Sequence, residues 1–249
     1  MITIIAGLGR YGLWCKDFCR AVWVHGPPKG QTLHEAFRIG IKSLPILLII
    51  SAFVGTNLAL QGYNAFKPLG GQRLVGMFVA LAGVRELAPI IAAAMIAAKA
   101  GTEMASQIGV MRIREQVDAL EVMAVNPLAF LVAPRLIGIL LMLPALTLIA
   151  IFVMLSAAYT VSVLQLGLPG HEFIQFASES IEPIDFFYGA VKAVFFGLII
   201  CTVSCYFGFH CGKGPEGVGT ATNRAVVISS VICIVLNYFV SELLYGGTL

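Results

Sequence analysis

The chain has 249 residues, of which 59% are hydrophobic and 12% are charged, and its formal net charge is +3. Soluble domains carry about a quarter charged residues, so this composition leaves too little polar surface to cover a globule of this size. The composition therefore excludes a soluble globular protein and predicts a chain embedded in lipid. The sequence has no extended basic patch with interleaved aromatic residues, which argues against a nucleic-acid partner.

The N-terminal segment, residues 1–42, mixes aromatic and basic side chains. Its aromatic residues Trp14, Phe18, Trp23 and Phe37 stand among Arg10, Lys16, Arg20, Lys29, Arg38 and Lys42. This mixture is typical of an amphipathic helix in the headgroup region of a membrane, and Gly26-Pro27-Pro28 predicts a break within it. A disordered basic tail is the alternative. The match of Gly7–Gly12 to G-x-G-x-x-G is set aside, because a membrane span follows where a dinucleotide-binding unit needs a second strand.

Five apolar stretches are long enough to cross a hydrocarbon core of about 30 Å as helices. They are Leu44–Gly62, Leu74–Ala98, Leu136–Leu166, Phe186–Phe207 and Ala225–Tyr245. The third is too short for two crossings, so we expect one long helix that is tilted or kinked at Pro144. The predicted fold class is an all-α integral membrane protein. Its single domain, residues 1–249, comprises the interfacial segment 1–42 and a transmembrane bundle over 44–245.

Small residues recur one helical turn apart in two of these spans. They form the steps Gly55-x-x-x-Ala59 and Ala93-x-x-x-Ala97. Because small side chains let two helix backbones approach each other, we expect close helix contacts at both steps.

Basic residues are distributed unevenly among the segments that flank the spans. Lys and Arg are concentrated in residues 1–42, 99–135 and 208–224, whereas the 167–185 loop contains none and carries acidic residues instead. Segments rich in Lys and Arg stay in the cytoplasm, so this asymmetry predicts a cytoplasmic N-terminus. With five spans, the C-terminus is then expected on the opposite side.

Three ionisable residues stand inside predicted spans, where an isolated charge is costly. Arg85 and Glu86 lie in the second span, and Lys192 lies in the fourth. A helical rise of about 1.5 Å per residue puts Glu86 and Lys192 at overlapping depths in the outer half of the bilayer, so the two can pair. The pair is either a structural lock between two helices or part of a site for a polar headgroup within an apolar cavity.

An amphipathic helix is predicted in the cytoplasmic segment Gly109–Pro127. Apolar residues recur at helical spacing as Ile113, Val117, Leu120 and Ala124. The polar residues off this stripe are Arg114, Glu115, Asp118 and Glu121, and Asn126-Pro127 marks the end of the helix. Such a helix either rests on the membrane surface or fits into a groove of a partner ATPase as a coupling helix.

The chain carries no nucleotide site of its own that the sequence can identify. Gly212-Lys213-Gly214 does not complete the phosphate-binding pattern G-x-x-x-x-G-K-[ST], and no other Walker motif occurs. Any ATP hydrolysis is therefore expected from another chain. The six cysteines contain no C-x-x-C, so we interpret them as small packing residues and not as metal ligands.

Several short segments, each occurring once, lie along the chain in an order and spacing that match a known protein family. The segments are Gly83–Pro89, Ala98–Met111, Glu115–Leu120, Val125–Pro127, Pro134-Arg135 and Gly217–Val227. Over residues 44–245 they resemble the MlaE (YrbE) permease family. Two positions depart from the family pattern. Lys99 stands where arginine is expected, which keeps the charge but loses the bidentate fork, and Asn223 replaces a usual threonine.

The resemblance implies a permease of the bacterial inner membrane that acts as a homodimer with two ATPase subunits, which bind ATP and Mg²⁺. It also implies a STAS-domain subunit, a periplasmic MCE-domain lipid carrier, and phospholipid as the substrate. Transport between the inner and outer membranes would then maintain outer-membrane lipid asymmetry. The chain is expected to be a transport subunit and not an enzyme, with no cofactor or metal of its own. Family members elsewhere carry sterols or plastid lipids, so the lipid class stays open.

The same resemblance implies roles for residues already singled out. Arg85, Glu86 and Lys192 match charged positions near the lipid pocket. The segment Glu115–Val122 matches the coupling helix. Within that segment, the residues expected to contact the ATPase are Glu115, Gln116, Asp118, Leu120 and Glu121.

The residues alone leave two alternative functions open. An ion-coupled carrier or channel would use Arg85, Glu86 and Lys192 as a charge relay, and its transport would run on a proton gradient without an ATPase. A purely structural anchor for a periplasmic assembly would leave these charges dispensable.

Overall fold

The computed structural model describes residues 2–25 and 29–246, and within these ranges the chain forms helices and turns without a strand. The α-helices are α1 Ile2–His25, α2 Lys29–Phe66, α3 Val75–Ala82, α4 Ala88–Ile96, α5 Thr102–Ile113, α6 Gln116–Val122, α7 Ala133–Leu164, α8 Gly170–Ser180, α9 Pro183–Phe209 and α10 Gly214–Tyr245. Turns of π-helix at Gly83–Leu87 and Ala97–Gly101 join α3, α4 and α5 into one continuous run. A third π-helical turn, Leu128–Val132, leads into α7.

Five helical segments among the described residues are long and apolar enough to cross a membrane. They are Gly30–Leu69, Gln72–Ile113, Leu128–Leu164, Pro183–Phe209 and Gly214–Tyr245. Each overlaps one of the predicted spans, and most extend beyond it by several helical turns. The prediction of an all-α, multi-pass membrane protein is confirmed.

The first membrane-spanning helix begins earlier than the sequence predicts. α2 runs without interruption through Pro45, so residues 29–42 are continuous with the first span. The predicted break at Gly26-Pro27-Pro28 lies outside the described residues. That the segment 1–42 lies at the membrane surface stays a prediction, as does its grouping with the rest of the chain in one domain.

The chain divides into two compact units. The first contains the described residues of Met1–Ile39, Ile96–Met142 and Gly197–Ile232. The second contains those of Gly40–Met95, Leu143–Phe196 and Cys233–Leu249.

In the first unit, a polar network holds the beginning of α2 and explains why it belongs to the helix bundle. Gln107 of α5 accepts hydrogen bonds on Oε1 from Arg38 Nη2 and Arg135 Nη2, each at 3.0 Å. Arg38 also pairs with Glu35 at 2.7 Å and with Glu103 at 3.4 Å. Because these charged groups are largely buried, each needs its partners in place, and together they fasten α2 to α5 and α7.

Also in the first unit, α1 packs on α9 through aromatic side chains. The ring of Trp14 lies 5.8 Å from that of Tyr206 and 6.1 Å from that of Phe209, measured between centroids. The Tyr11 hydroxyl lies 2.7 Å from the Thr202 hydroxyl. The G-x-G-x-x-G segment, Gly7–Gly12, lies within α1. A helix at this position agrees with the rejection of a dinucleotide site.

In the second unit, α8 covers the ends of α3 and α7. Its Phe173 is buried in a cluster with Val75, Val79 and Ala158. α3 and α8 approach so closely that a Cβ added at Gly76 would stand 2.5 Å from the carbonyl oxygen of Phe173. The acidic 167–185 loop thus contains a short amphipathic helix that the hydropathy pattern does not single out.

The second unit also contains the close helix contact predicted at the first small-residue step. A Cβ added at Gly55 would clash with the carbonyl oxygen of Met154, so α2 and α7 meet backbone to backbone there. Ala59, one turn further along, is fully buried. The contact at this step is therefore confirmed. Ala93 and Ala97 are fully buried as well.

We predict that Gly55→Ala destabilises the protein by about 1–3 kcal/mol, because the added methyl group overpacks a backbone contact. The measurement is the melting temperature of the purified protein in detergent. Gly219→Ala is the matched control, since its Cβ would meet no atom within 4 Å. That change should be neutral or stabilise by up to about 1 kcal/mol. Equal melting temperatures for the two variants would show that the α2–α7 contact is not tight.

Candidate functional site

The charged residues of the second and fourth spans meet within the second unit. Lys192 Nζ lies 3.2 Å from Glu86 Oε1, as the depth estimate from the sequence predicts. The Lys192 side chain is fully buried, whereas 42% of the Glu86 side chain is exposed. The two members of the pair therefore have different surroundings, and only Glu86 reaches an open space.

A proline in the second span explains the position of Lys192. In a regular helix the carbonyl of Arg85 would accept a hydrogen bond from the N–H of residue 89, but Pro89 has no N–H. The backbone around Arg85 widens into the π-helical turn Gly83–Leu87, in which the Ala88 N–H bonds to the Gly83 carbonyl. Lys192 Nζ donates to the Arg85 carbonyl at 2.7 Å. A side chain of α9 thus supplies a donor to a carbonyl that has no N–H four residues ahead of it.

Two polar side chains of α10 complete the surroundings of this pair. Ser241 Oγ accepts from Lys192 Nζ at 2.7 Å and donates to Glu86 Oε1 at 2.8 Å. Asn237 Nδ2 donates to Glu86 Oε2 at 2.5 Å. The ammonium group has three N–H donors, and the Arg85 carbonyl, Glu86 and Ser241 account for all of them. Lys192 is therefore saturated within the protein.

Arg85 forms a second ion pair with a residue that the sequence does not single out. Its Nε lies 3.1 Å from Asp185 Oδ1, and its Nη2 donates to Asp185 Oδ2 at 3.2 Å. Asp185 is buried in the first turn of α9, where its Oδ2 also accepts from the Glu182 N–H at 3.0 Å. This carboxylate caps the start of α9 and fixes one edge of the Arg85 guanidinium.

Tyr245 of α10 lies against both cations of the site. Its ring centroid is 4.9 Å from Arg85 Cζ and 5.2 Å from Lys192 Nζ. The Tyr188 ring stands edge-on to it, with 5.3 Å between centroids. An aromatic face at this distance stabilises a cation by attraction to the π electrons, more strongly where water is excluded.

A cavity of about 540 Å³ opens beside these groups. Its lining residues are Leu81, Ala82, Arg85, Glu86, Tyr238, Ser241, Glu242, Tyr245 and Gly246. Arg85, with 34% of its side chain exposed, and Glu86 face the cavity, whereas Lys192 lies behind its wall. The cavity thus presents a guanidinium, carboxylates and tyrosine rings together, and can bind a group that carries charges of both signs.

A larger groove, of about 670 Å³, lies elsewhere in the second unit, between α7, α8 and the start of α9. Phe152, Tyr159, Phe173 and Phe186 are among the residues that line it, and none of its described lining residues is charged. This groove is suited to hydrocarbon. Of the two spaces, only the smaller cavity has charged side chains among its described lining residues, so it is the one suited to a polar ligand.

The predicted coupling helix belongs to the first unit and is shorter than the sequence predicts. Its helical residues are Gln116–Val122, and the backbone is left-handed at Glu115 (φ 58°) and at Ala124 (φ 59°). Ile113 ends the preceding helix, so the three-turn stripe predicted over 113–124 is wrong at both ends. Asn126 marks the start of the next helical turn and not the end of α6, because its Oδ1 accepts from the backbone N–H groups that open that turn.

The short helix presents its polar residues outward. Glu115, Gln116, Asp118 and Glu121 are exposed, Leu120 is partly buried, and Val117 is buried. Arg112 pairs with Asp118 across the turn. A polar cleft of about 510 Å³ separates this turn from residues 211–214, and within the cleft burial raises the pKa of the Cys211 thiol.

Apolar membrane-spanning helices around a cavity with charged side chains define a polytopic membrane protein of the transporter or channel class. The family model described as Permease MlaE matches residues 32–243. The chain therefore belongs to the MlaE permease family and is a transport permease.

The chain is similar to several proteins of known name. It is 39% identical over 246 residues to a "Probable ABC transporter permease protein" of Rickettsia felis, which covers 98% of this chain and 94% of that protein. It is 32% identical over 210 residues to the "Intermembrane phospholipid transport system permease protein MlaE" of Haemophilus influenzae, with 84% and 80% covered. It is 34% identical over 217 residues to "Protein TRIGALACTOSYLDIACYLGLYCEROL 1, chloroplastic" of Arabidopsis thaliana, with 87% and 62% covered.

We predict that Lys192 and Pro89 are energetically coupled. Lys192→Met should destabilise the protein by about 2–4 kcal/mol, because it removes a donor from the Arg85 carbonyl and the counter-charge from Glu86. In a Pro89→Ala background the restored N–H can pair with that carbonyl, so the same change should cost about 1 kcal/mol less. Unfolding of the four proteins in detergent measures the difference. An equal cost of Lys192→Met in both backgrounds would contradict the role assigned to Pro89.

Proposed function

We propose that the chain is the permease subunit of an ABC transport system that moves phospholipids between the inner and outer membranes and so maintains outer-membrane lipid asymmetry. Family membership supports this proposal, and one relative is named as a phospholipid transport permease. The observation that carries it is the cavity in which Arg85 and Glu86 face an open space between apolar helices. Charged groups at this depth persist only with partners, water or a polar ligand to compensate them.

In the proposed headgroup site, Arg85 binds the ligand, and Lys192 and Asp185 position the groups that face it. Arg85 is exposed to the cavity and can donate charge-assisted hydrogen bonds to a phosphate. Lys192 has no free donor, so its proposed contribution to lipid binding is to hold the Arg85 backbone and the Glu86 carboxylate in position. Asp185 does the same for the guanidinium of Arg85.

The proposed assembly is a homodimer of this permease with ATPase subunits that bind ATP and Mg²⁺, a STAS-domain subunit and a periplasmic MCE-domain lipid carrier. The names of the relatives support an ABC-type system. The proposed location is the bacterial inner membrane, with the N-terminus in the cytoplasm and the C-terminus in the periplasm. The distribution of basic residues supports this orientation.

The proposed ATPase contact is the short helix α6 with the preceding Glu115. Four polar residues there are exposed, namely Glu115, Gln116, Asp118 and Glu121, and Leu120 adds an apolar group. Buried Val117 fastens the helix to the permease. A short helix anchored on one face and polar on the other suits insertion into a groove of a partner protein.

We predict that reversing the charges of Glu115 and Asp118 to lysine lowers the amount of co-purified ATPase subunit on the order of tenfold, which corresponds to about 1.4 kcal/mol. The measurement is the ratio of ATPase to permease after affinity purification of the permease. Asp17→Lys is the control, because Asp17 is an exposed carboxylate on α1 and not part of the proposed contact. If ATPase recovery and transport equal those of the wild type, α6 merely lies on the membrane surface.

We predict that Arg85→Lys preserves folding but reduces bound phospholipid about tenfold. Lysine keeps a positive charge opposite Asp185, yet it loses the fork that holds a phosphate while pairing with a carboxylate. Folded yield and bound lipid are measured on the same purified sample. Arg73→Lys is the matched control, since Arg73 pairs with Glu172 at 3.3 Å outside the cavity. Full lipid occupancy in folded Arg85→Lys protein would rule out this cavity as the headgroup site.

A further inference from the structure

We propose that the charged cavity selects phospholipids whose headgroup carries an ammonium group over phospholipids whose headgroup is anionic. This inference rests on the proposed function and specifies its substrate. It follows from the balance of charges in the cavity, from the free hydrogen-bonding capacity of two side chains, and from the tyrosine rings beside them.

The charges around the cavity leave an excess of one carboxylate. Arg85 is paired with Asp185, and Lys192 is paired with Glu86, so these two pairs cancel. Glu242 also lines the cavity and is exposed. The cavity therefore carries a net negative charge, which attracts an ammonium group and repels a headgroup with an uncompensated negative charge.

Glu86 keeps capacity for a further donor. A carboxylate offers about four lone-pair positions. In Glu86, donors from Lys192, Ser241 and Asn237 occupy three of them. Its side chain is 42% exposed, so a ligand in the cavity can approach the carboxylate. An ammonium group carries the N–H donors that this position accepts.

Tyrosine rings at the cavity add a second attraction for a cation. Tyr238 and Tyr245 both line it, and Tyr245 already has the cationic groups of Arg85 and Lys192 near its ring. A ligand ammonium within about 6 Å of such a ring gains a similar stabilisation. The rings and the carboxylates therefore favour the same charge.

Arg85 supplies the complementary half of the site. Asp185 engages the Nε and Nη2 side of the guanidinium, so the Nη1 donors are not part of that pair. Arginine has five N–H donors, and those facing the cavity can bind a phosphate. A zwitterionic headgroup would place its phosphate at Arg85 and its ammonium group near Glu86 and Glu242.

The test uses the full-length permease, with its ATPase if this co-purifies, reconstituted into vesicles of equimolar phosphatidylethanolamine and phosphatidylglycerol. After re-extraction into detergent and washing, native mass spectrometry measures the ratio of the two lipids retained. We expect the wild type to enrich phosphatidylethanolamine about fivefold, the size of effect that one exposed charge produces. Glu242→Gln should bring the ratio close to that of the vesicles, and Glu242→Lys should favour phosphatidylglycerol.

The control is Glu179→Gln, which removes an exposed carboxylate from α8 of the same unit without changing the cavity. It should retain the wild-type lipid ratio. Wild-type protein that retains both lipids in the vesicle proportion, or a ratio that Glu242→Lys leaves unchanged, overturns the headgroup preference alone. Wild-type protein that retains no phospholipid overturns the proposed function, and the preference with it.

Discussion

A carbonyl that lacks its usual N–H partner inside a membrane-spanning helix is the constraint on which the candidate site depends. Hydrocarbon offers no water to a backbone oxygen, and Pro89 removes the N–H that the Arg85 carbonyl would use. Lys192 supplies the missing donor from another helix. A buried ammonium group in turn requires a counter-charge, which Glu86 provides. Ser241 and Asn237 of α10 form further hydrogen bonds with Lys192 and Glu86, respectively. The hydrogen bond that joins α9 to the backbone of the second span therefore lies at the carbonyl that Pro89 deprives of its usual partner.

Much of the fold follows from composition and periodicity, because lipid imposes a length and an apolar character that a sequence displays directly. Depth arithmetic also brings Glu86 and Lys192 together, since both lie on helices whose outer ends the loops define. The same reasoning does not identify Asp185 as part of the site. Asp185 lies at the end of a span, where an acidic residue can contact water and no buried partner is expected. Its role depends on the orientation of α9, which a single sequence does not record.

Two other differences have distinct physical causes. The sequence separates residues 29–42 from the first span because they are rich in charge, yet α2 continues through them, and Arg38 is partly buried against acidic and amide partners on α2 and α5. The helix α8 is short, and its apolar face is one-sided, so hydropathy alone does not separate it from a loop. In both cases long-range contacts determine the structure, and these contacts leave no local pattern.

The ion-coupled alternative makes a different demand on the same residues. A charge relay needs a group that can exchange partners as an ion passes. Lys192 instead donates all three of its N–H groups within a closed network, and Arg85 is held by a capping carboxylate. A fixed arrangement of charges suits the recognition of a headgroup better than the passage of ions, which agrees with membership in a permease family whose relatives are named as ABC components.

The left-handed residues at the two ends of α6 have a consequence for its dynamics. Glu115 and Ala124 hold a conformation that costs a non-glycine residue about 1–2 kcal/mol each. This strain lowers the free energy that separates the folded connection around α6 from its locally open state. A protein that binds α6 would suppress this opening. The backbone amides of α6 would then exchange hydrogen with the solvent more slowly in the complex than in the free permease.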